Sequence, residues 1–280
     1  MALNSVWNVD PVFLSVGELA IRYYSLFMMA TWFGGYLLLS WQIRRGGGDV
    51  EEAGDFLAYG VIGLLVGARL GHVLFYAFDQ ALADPLWVLQ IWTGGLASHG
   101  AAVGVALAML LFTRRRSIPF LEGTDRLVYS AALGAILIRL GNLYNSEIVG
   151  RPTDGSWGVS FPRYDRVDVV LRHPTQIYEA LLGLMVLVLL LALSRSWKER
   201  ERPRGTMTGT FLIAYFGGRF LVEFAKEPQP GEPALPLNLG QLLSIPAVIA
   251  GILVLWHSGR SGERARWEVV TARKALATRP

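Results

Sequence analysis

Residues 178–194 read YEALLGLMVLVLLLALS, a run that is apolar almost throughout. A helix rises 1.5 Å per residue, so about 20 residues of this kind match a hydrocarbon core of ~30 Å. Six further runs resemble it, at 19–41, 56–78, 96–113, 127–144, 207–225 and 237–257. The pattern predicts an all-α, polytopic integral membrane protein with about seven transmembrane helices in a single membrane domain over 1–280. Composition agrees: 52% of the 280 residues are hydrophobic and 17% charged, with a mean hydropathy of +0.38, outside the range of ordinary soluble domains. The chain has no cysteine, which excludes disulfides, a thiolate nucleophile of its own and Cys-ligated zinc or iron–sulfur centres. Its four histidines are scattered, without carboxylates at metal-ligand spacing, so no metal and no cofactor is expected.

The pI near 9.5 raises nucleic acid as a partner, but the positions of the cations point to a bilayer instead. Of 26 Lys and Arg, 17 fall in 42–55, 114–126, 195–206 and the tail after 257, and five in the other connections. The positive-inside rule then places the N-terminus outside, and the C-terminus, with the basic tail 258–280, in the cytoplasm. Clusters such as Arg114-Arg115-Arg116 are topology determinants facing anionic lipid, and no nucleic-acid partner is expected. The first eighteen residues contain no Lys or Arg, so the first run reads as a retained helix. Residues 84–95, with Asp84-Pro85, Trp87, Trp92 and Gly94-Gly95, suit an interfacial or re-entrant piece. The connection 145–177, with four Arg and three Pro, is too long for a turn and is expected as a periplasmic loop or small cap.

Four arginines, Arg22, Arg69, Arg139 and Arg219, lie inside the apolar runs. Each ionisable side chain at mid-bilayer depth costs about 2.5–3.5 kcal/mol and calls for a reason. Arg22 sits near the start of helix one and can snorkel to the interface. Arg69, in helix two, is expected to pair structurally with a neighbouring helix. Helices four and six run outward, which places Arg139 and Arg219 roughly 18–20 Å from the cytoplasmic face, in the outer half. Tyr24 and His99 fall in the same band. Helical spacing puts Arg139, Asn142 and Asn145 on one face, followed by Glu147 and Gly150-Arg151, and aligns Tyr215, Arg219, Glu223 and Lys226 into a second stripe. Paired guanidinium groups among amide donors suit a phosphate. His99 lies in Gly94-Gly95-Leu96-Ala97-Ser98-His99-Gly100-Ala101, whose small residues let a lipid or a helix come close, and its imidazole suits a general base. His173, just before helix five, is expected to cap it.

Arg139-Leu-Gly141-Asn142-Leu-Tyr144-Asn145-Ser-Glu147-Ile-Val-Gly150-Arg151, followed by Trp157-Gly158 and Phe161-Pro162, resembles the signature of bacterial prolipoprotein diacylglyceryl transferases. Ile21-Arg22-Tyr23-Tyr24, Gly94-Gly95 with His99-Gly100, Arg172-His173-Pro174-Thr175-Gln176-Ile-Tyr178-Glu179-Ala180 and Arg219-Phe-Leu-Val-Glu223-Phe224 are similar to the family's other blocks, in order, over about 10–257. The resemblance implies a seven-helix enzyme of the bacterial inner membrane. It implies transfer of the diacylglyceryl group from phosphatidylglycerol to the lipobox cysteine thiol of a preprolipoprotein, with release of glycerol phosphate. By motif position it assigns essential roles to Arg139 and Arg219 and important ones to Tyr24, His99, Asn142, Glu147, Gly150, Tyr215 and Glu223. The chain departs from the family pattern at Ser25, at Ala101 and at Lys226-Glu227-Pro228-Gln229, where Arg-x-Pro-Asp is common. Lysine keeps the charge there and loses the bidentate fork.

The expected chemistry needs thiol deprotonation and stabilisation of charge on the departing phosphate. Arg139 and Arg219 would clamp the phosphate, Asn142 and Tyr24 hold headgroup oxygens, His99 take the thiol proton and Glu223 position Arg219. Without a cysteine there is no cysteinyl-enzyme intermediate, and transfer is direct. The alternatives are a membrane transporter for an anionic solute, weakened by the lack of an internal repeat, and a structural scaffold, which does not explain two arginines, a histidine and a tyrosine at one depth.

Overall fold

The computed structural model describes residues 5–197, 201–228 and 236–265, which are mostly helical. Strand β1 (Ser5–Val6) precedes a hairpin of β2 (Val12–Val16) and β3 (Leu19–Arg22), which leads directly into helix α1 (Tyr23–Arg45). Helix α2 (Glu51–Tyr76) is followed by the short α3 (Phe78–Ala83), two 3-10 turns at Pro85–Leu89 and Ile91–Thr93, α4 (Ser98–Arg116) and α5 (Phe120–Tyr144). The next connection holds β4 (Val159–Ser160), α6 (Pro162–Asp165) and β5 (Leu171–Arg172), with β4 pairing parallel to β1 and antiparallel to β5. Helices α7 (Thr175–Ser196), α8 (Thr206–Val222) with a 3-10 turn at Glu223–Ala225, and α9 (Leu239–Ser261) complete the described chain. The end of the expected basic tail, beyond 265, lies outside the described residues, as does Gln229.

Helices α1, α2, α5, α7 and α9 are long and apolar enough to cross a membrane. Helix α4 gives its last turn to Arg114, Arg115 and Arg116, and α8 has 17 residues; these two occupy the third and sixth expected runs. Large apolar side chains point outward from the helices, with Phe33 67%, Ile62 63%, Met185 61% and Leu253 59% exposed. That surface suits lipid, since a soluble fold would bury those residues.

Two expected boundaries are corrected. Residues 19–22 are strand, because Leu19, Ala20 and Ile21 pair with Val16, Ser15 and Leu14 across a turn opened by Gly17 at φ 60°, so Arg22 is an exposed strand residue and not part of helix one. Helix four starts at Phe120, seven residues ahead of 127, so Arg126 is a helix residue and not a loop cation. Its guanidinium and the Glu122 carboxylate are fully buried, 2.5 Å apart at i, i+4, and Arg126 Nη1 also donates to the Gln42 carbonyl at 3.1 Å. Each charge compensates the other, and this lets the helix continue through residues that look like connection.

The chain packs as two compact units, one formed by Ser40–Arg126 and the other by the described residues up to Leu39 together with Leu127–Arg264. In the first, α2 and α4 meet through glycine. A Cβ on Gly71 would lie 2.7 Å from Gly100 Cα, and one on Gly104 would fall on the Gly63 carbonyl. The small residues beside His99 therefore admit a helix, in the small-xxx-small manner of membrane helix pairs. In the other unit the core joins Val128, Tyr129 and Ala132 of α5, Leu182, Val186 and Leu190 of α7, and Met207 and Phe211 of α8. Gly209 and Gly251 bring α8 and α9 together so closely that a Cβ on either would crowd the other's carbonyl, at 2.9 and 3.0 Å.

Candidate active site

The polar stripe at the end of α5 is a connected network. Arg139 Nη1 donates to Asn142 Oδ1 at 3.0 Å, Asn142 Nδ2 donates to Glu147 Oε1 at 2.8 Å, and Asn145 Nδ2 reaches the same oxygen at 3.2 Å. Helical periodicity supplies the first link and the turn after Tyr144 the others. In that turn Ser146 (φ 53°) and Ile148 (φ 56°) occupy the left-handed region, which a β-branched residue rarely adopts. Thr175 Oγ1 donates to the Ile148 carbonyl at 3.0 Å and Gln176 Nε2 to the Glu147 carbonyl at 2.8 Å, so the first turn of α7 holds the strained turn in place. Tyr24 packs its ring on Gly141, where a Cβ would lie 2.8 Å from Tyr24 Cδ2, and sits within electrostatic reach of Glu147 and Arg139.

Glu179 of α7 is the hub. One carboxylate oxygen ion-pairs with Arg139 Nε and faces Arg219 Nη1 at 3.5 Å, while the other accepts from Lys226 Nζ at 3.0 Å. Glu223 repeats the arrangement from the end of α8, with Arg219 Nη2 and Lys226 Nζ both 3.1 Å from its Oε1 and Asn238 Nδ2 donating to its Oε2 at 3.1 Å. Asn238 also accepts from Gln241 N in the capping box that begins α9, so a helix start fixes the group that fixes Glu223. Tyr215, one turn before Arg219, hydrogen-bonds it and lies in the field of Glu179 and Arg139.

The three cations Arg139, Arg219 and Lys226 are matched by Glu147, Glu179 and Glu223, so the cluster carries no net excess of charge, and its charges are layered by depth. Glu179 and Glu223 side chains are 2% and 6% exposed, whereas those of Arg139 and Arg219 retain 13% and 23%. The carboxylates are the more deeply buried layer, and the arginine side chains they hold keep part of their surface exposed. A buried carboxylate held by several donors keeps neighbouring arginines fixed before an anion arrives, which is the preorganisation that stabilises developing charge.

Gly150 serves this frame by having no side chain. Its N–H donates to the His173 carbonyl at 2.9 Å, it pairs with Lys226 as an antiparallel bridge, and a Cβ would meet the His173 and Ala225 carbonyls. Beside it Arg151 Nε donates to the Lys226 carbonyl at 3.0 Å. Arg172 closes the frame by ion pairs to Asp165 at 2.7 Å and Glu227 at 3.1 Å. Burial opposes its charge, but the Asp165 hydrogen bond and the charges of Asp165, Glu227 and Tyr164 prevail and hold the guanidinium above the usual arginine range. His173 does not cap α7: Pro174 is the N-cap, and the imidazole Nδ1 sits 3.2 Å from Tyr178 Oη with Trp157 alongside.

Of the residues singled out by sequence, Tyr24, Arg139, Asn142, Asn145, Glu147, Gly150, Tyr215, Arg219 and Glu223 come together in one unit. His99 belongs to the unit formed by Ser40–Arg126, where its exposed ring packs against Phe75 and Tyr76 at 5.0 and 5.8 Å between centroids. Arg69 pairs with backbone carbonyls of the 84–95 segment and not with a neighbouring helix. Glu179 was missed as a site residue, although an ionisable residue within an apolar run carries the same signal as the arginines.

Residues 11–257 match the family model described as prolipoprotein diacylglyceryl transferase. A phosphatidylglycerol–prolipoprotein diacylglyceryl transferase of Tolumonas auensis is 42% identical over 262 residues, covering 93% of this chain and 99% of that protein. Proteins of the same name from Chloroherpeton thalassium and Nitrosomonas europaea are 39% and 41% identical, covering 92% and 90% of this chain and 95% and 90% of their own lengths. With the arginine–carboxylate network built on the very blocks that carry the likeness, the chain belongs to the prolipoprotein diacylglyceryl transferase family.

Proposed function

We propose that this protein transfers the diacylglyceryl group of phosphatidylglycerol to the lipobox cysteine thiol of a preprolipoprotein. The thiolate attacks the diacylglycerol carbon that bears the phosphate ester; the carbon–oxygen bond breaks, a thioether forms, and glycerol phosphate leaves. The phosphate passes from a monoanionic diester to a dianionic monoester, so one full negative charge develops on the leaving group. The observation that carries the assignment is the layering of the site, with Glu179 and Glu223 more deeply buried than the Arg139 and Arg219 side chains they hold. Those two guanidinium groups receive the developing charge, and Asn142 and Tyr24 hold headgroup oxygens. Asn145 and Glu147 keep Asn142 in register, Glu223 and Tyr215 orient Arg219, and Gly150 seats Lys226. His99 takes the thiol proton, on the strength of its imidazole chemistry and its motif.

The same reading takes the seven helices as spans of one membrane domain in the bacterial inner membrane, N-terminus outside and C-terminus cytoplasmic, with the 145–177 cap in the periplasm. The asymmetry of Lys and Arg supports that orientation, and it sets the site in the outer half, where a translocated lipobox cysteine arrives. The test uses purified protein in detergent, phosphatidylglycerol, and a lipobox peptide carrying Cys or Ser, with glycerol phosphate release as readout. Release with Cys alone supports the transferase; no release with either peptide from folded protein overturns it and favours anion transport, which liposome flux would then reveal.

A further inference from the structure

Arg69 is 3% exposed within α2, and among the described residues no carboxylate pairs with it. Its nitrogens are spent on backbone: Nε donates to the Val88 carbonyl at 2.9 Å, Nη2 to Trp87 at 2.6 Å, and Nη1 to Gly94 at 2.6 Å and Gly95 at 3.3 Å. The guanidinium also lies 4.1 Å from the centroid of the Trp87 ring. Buried and with each of its three nitrogens engaged by carbonyls, Arg69 serves the backbone around it.

The carbonyls it holds lie near the two ends of residues 87–95, a stretch of 3-10 turns with Leu89 and Trp92 exposed. Gly94 (φ 86°) and Gly95 (φ 71°) reverse the chain, and a Cβ on Gly95 would lie 2.6 Å from His72 Cδ2 and 2.9 Å from Arg69 Nη1. Two residues on, Ala97 N–H donates to the Ala68 carbonyl at 2.9 Å, and α4 begins at Ser98 without a side-chain cap. The start of α4, which carries His99 in its first turn, therefore takes its orientation from Ala68 and Arg69 of α2. The titratable groups packed around His99 in this unit are Tyr76, against its ring, and His72, stacked on Tyr76; Arg69 is the charge behind them.

We propose that Arg69 is a positioning residue for His99, gathering the Trp87–Gly95 carbonyls so that the first turn of α4 presents the imidazole in one orientation. The inference rests on the reading of His99 as the base given above. Lysine cannot substitute, since a single ammonium cannot serve carbonyls at both ends of the segment in fixed directions.

The test is the pH profile of Arg69→Lys and His99→Gln, in the full-length protein with phosphatidylglycerol and the Cys lipobox peptide. For Arg69→Lys, kcat at pH 7 should fall about 10²-fold with the KM for phosphatidylglycerol within about twofold, since misplacement by an ångström has that effect. The deficit should shrink as pH rises past the thiol's ordinary pKa of about 8.5, where the nucleophile ionises without a base. Trp87→Leu, a gentler loosening of the same clamp, should give a smaller deficit of the same shape, and it carries the test if Arg69→Lys does not fold. If the His99→Gln deficit shrinks with pH while those of the clamp variants stay constant, the positioning role is wrong and the base stands. A constant His99→Gln deficit overturns the base itself.

Discussion

Replacing Glu179 by glutamine keeps the shape of the side chain and removes the charge on which Arg139, Arg219 and Lys226 converge. At an effective dielectric of about 20, a pair at the 3.0 Å of Lys226 and Glu179 is worth roughly 5 kcal/mol before desolvation. Removing one partner of a buried pair leaves the other uncompensated, which destabilises by about 3–5 kcal/mol. The remaining carboxylates offset part of this, because Glu223 still faces Arg219 and Lys226 at 3.1 Å. Arg139 is worse placed, since its other described partner is the neutral Asn142. The expected result is a fall in thermal midpoint on the order of 10 °C in detergent, by intrinsic fluorescence or light scattering. Transfer should fall further than stability does: with Glu179 neutral, the two guanidinium groups repel and lose the common anchor that holds them. At a temperature where Glu179→Gln is folded, kcat should drop on the order of 10²-fold, with the KM for phosphatidylglycerol unchanged or lower, because the added net positive charge still attracts the headgroup. A variant with native thermal midpoint and native kcat would refute the idea that Glu179 organises the site.

Gly150→Ala should destabilise by about 1–3 kcal/mol, read by thermal denaturation, since its Cβ would lie 2.7 Å from the Ala225 carbonyl and backbone cannot move aside cheaply. Asn142→Asp replaces the amide that donates to Glu147 at 2.8 Å with a carboxylate facing a carboxylate, so transfer should fall at least 10-fold at pH 7 while Asn142→Gln loses less. Arg126→Met with Glu122 intact should cost about 3–5 kcal/mol, and Arg126→Met with Glu122→Leu should recover most of it, the signature of a buried pair in a double-mutant cycle read by denaturation midpoint.

Sequence reading works where one helix does the assembling and fails where several chain segments must meet. The Arg139, Asn142 and Asn145 stripe and the Tyr215, Arg219 and Glu223 stripe are legible because helical periodicity alone aligns them. Nothing local in Thr175–Ser196 announces that Glu179 meets cations from α5 and from the end of α8, so the hub is visible only as an expensive charge in an apolar run. Arg69 is hidden for a related reason, because its partners are carbonyls, which every residue owns and no residue type advertises. The boundary errors have physical causes too. Residues 19–22 are apolar enough to join a helix, yet their hairpin partner Val12–Val16 takes their hydrogen bonds, and hydrophobicity does not encode that competition. Glu122 and Arg126 look like a loop by charge count, although their i, i+4 spacing is itself a helical signature. Charge in this chain thus divides by its partner: Arg126 is met by a buried carboxylate and Arg69 by backbone carbonyls, whereas Arg139 and Arg219 share the buried Glu179 and keep part of their own side chains exposed.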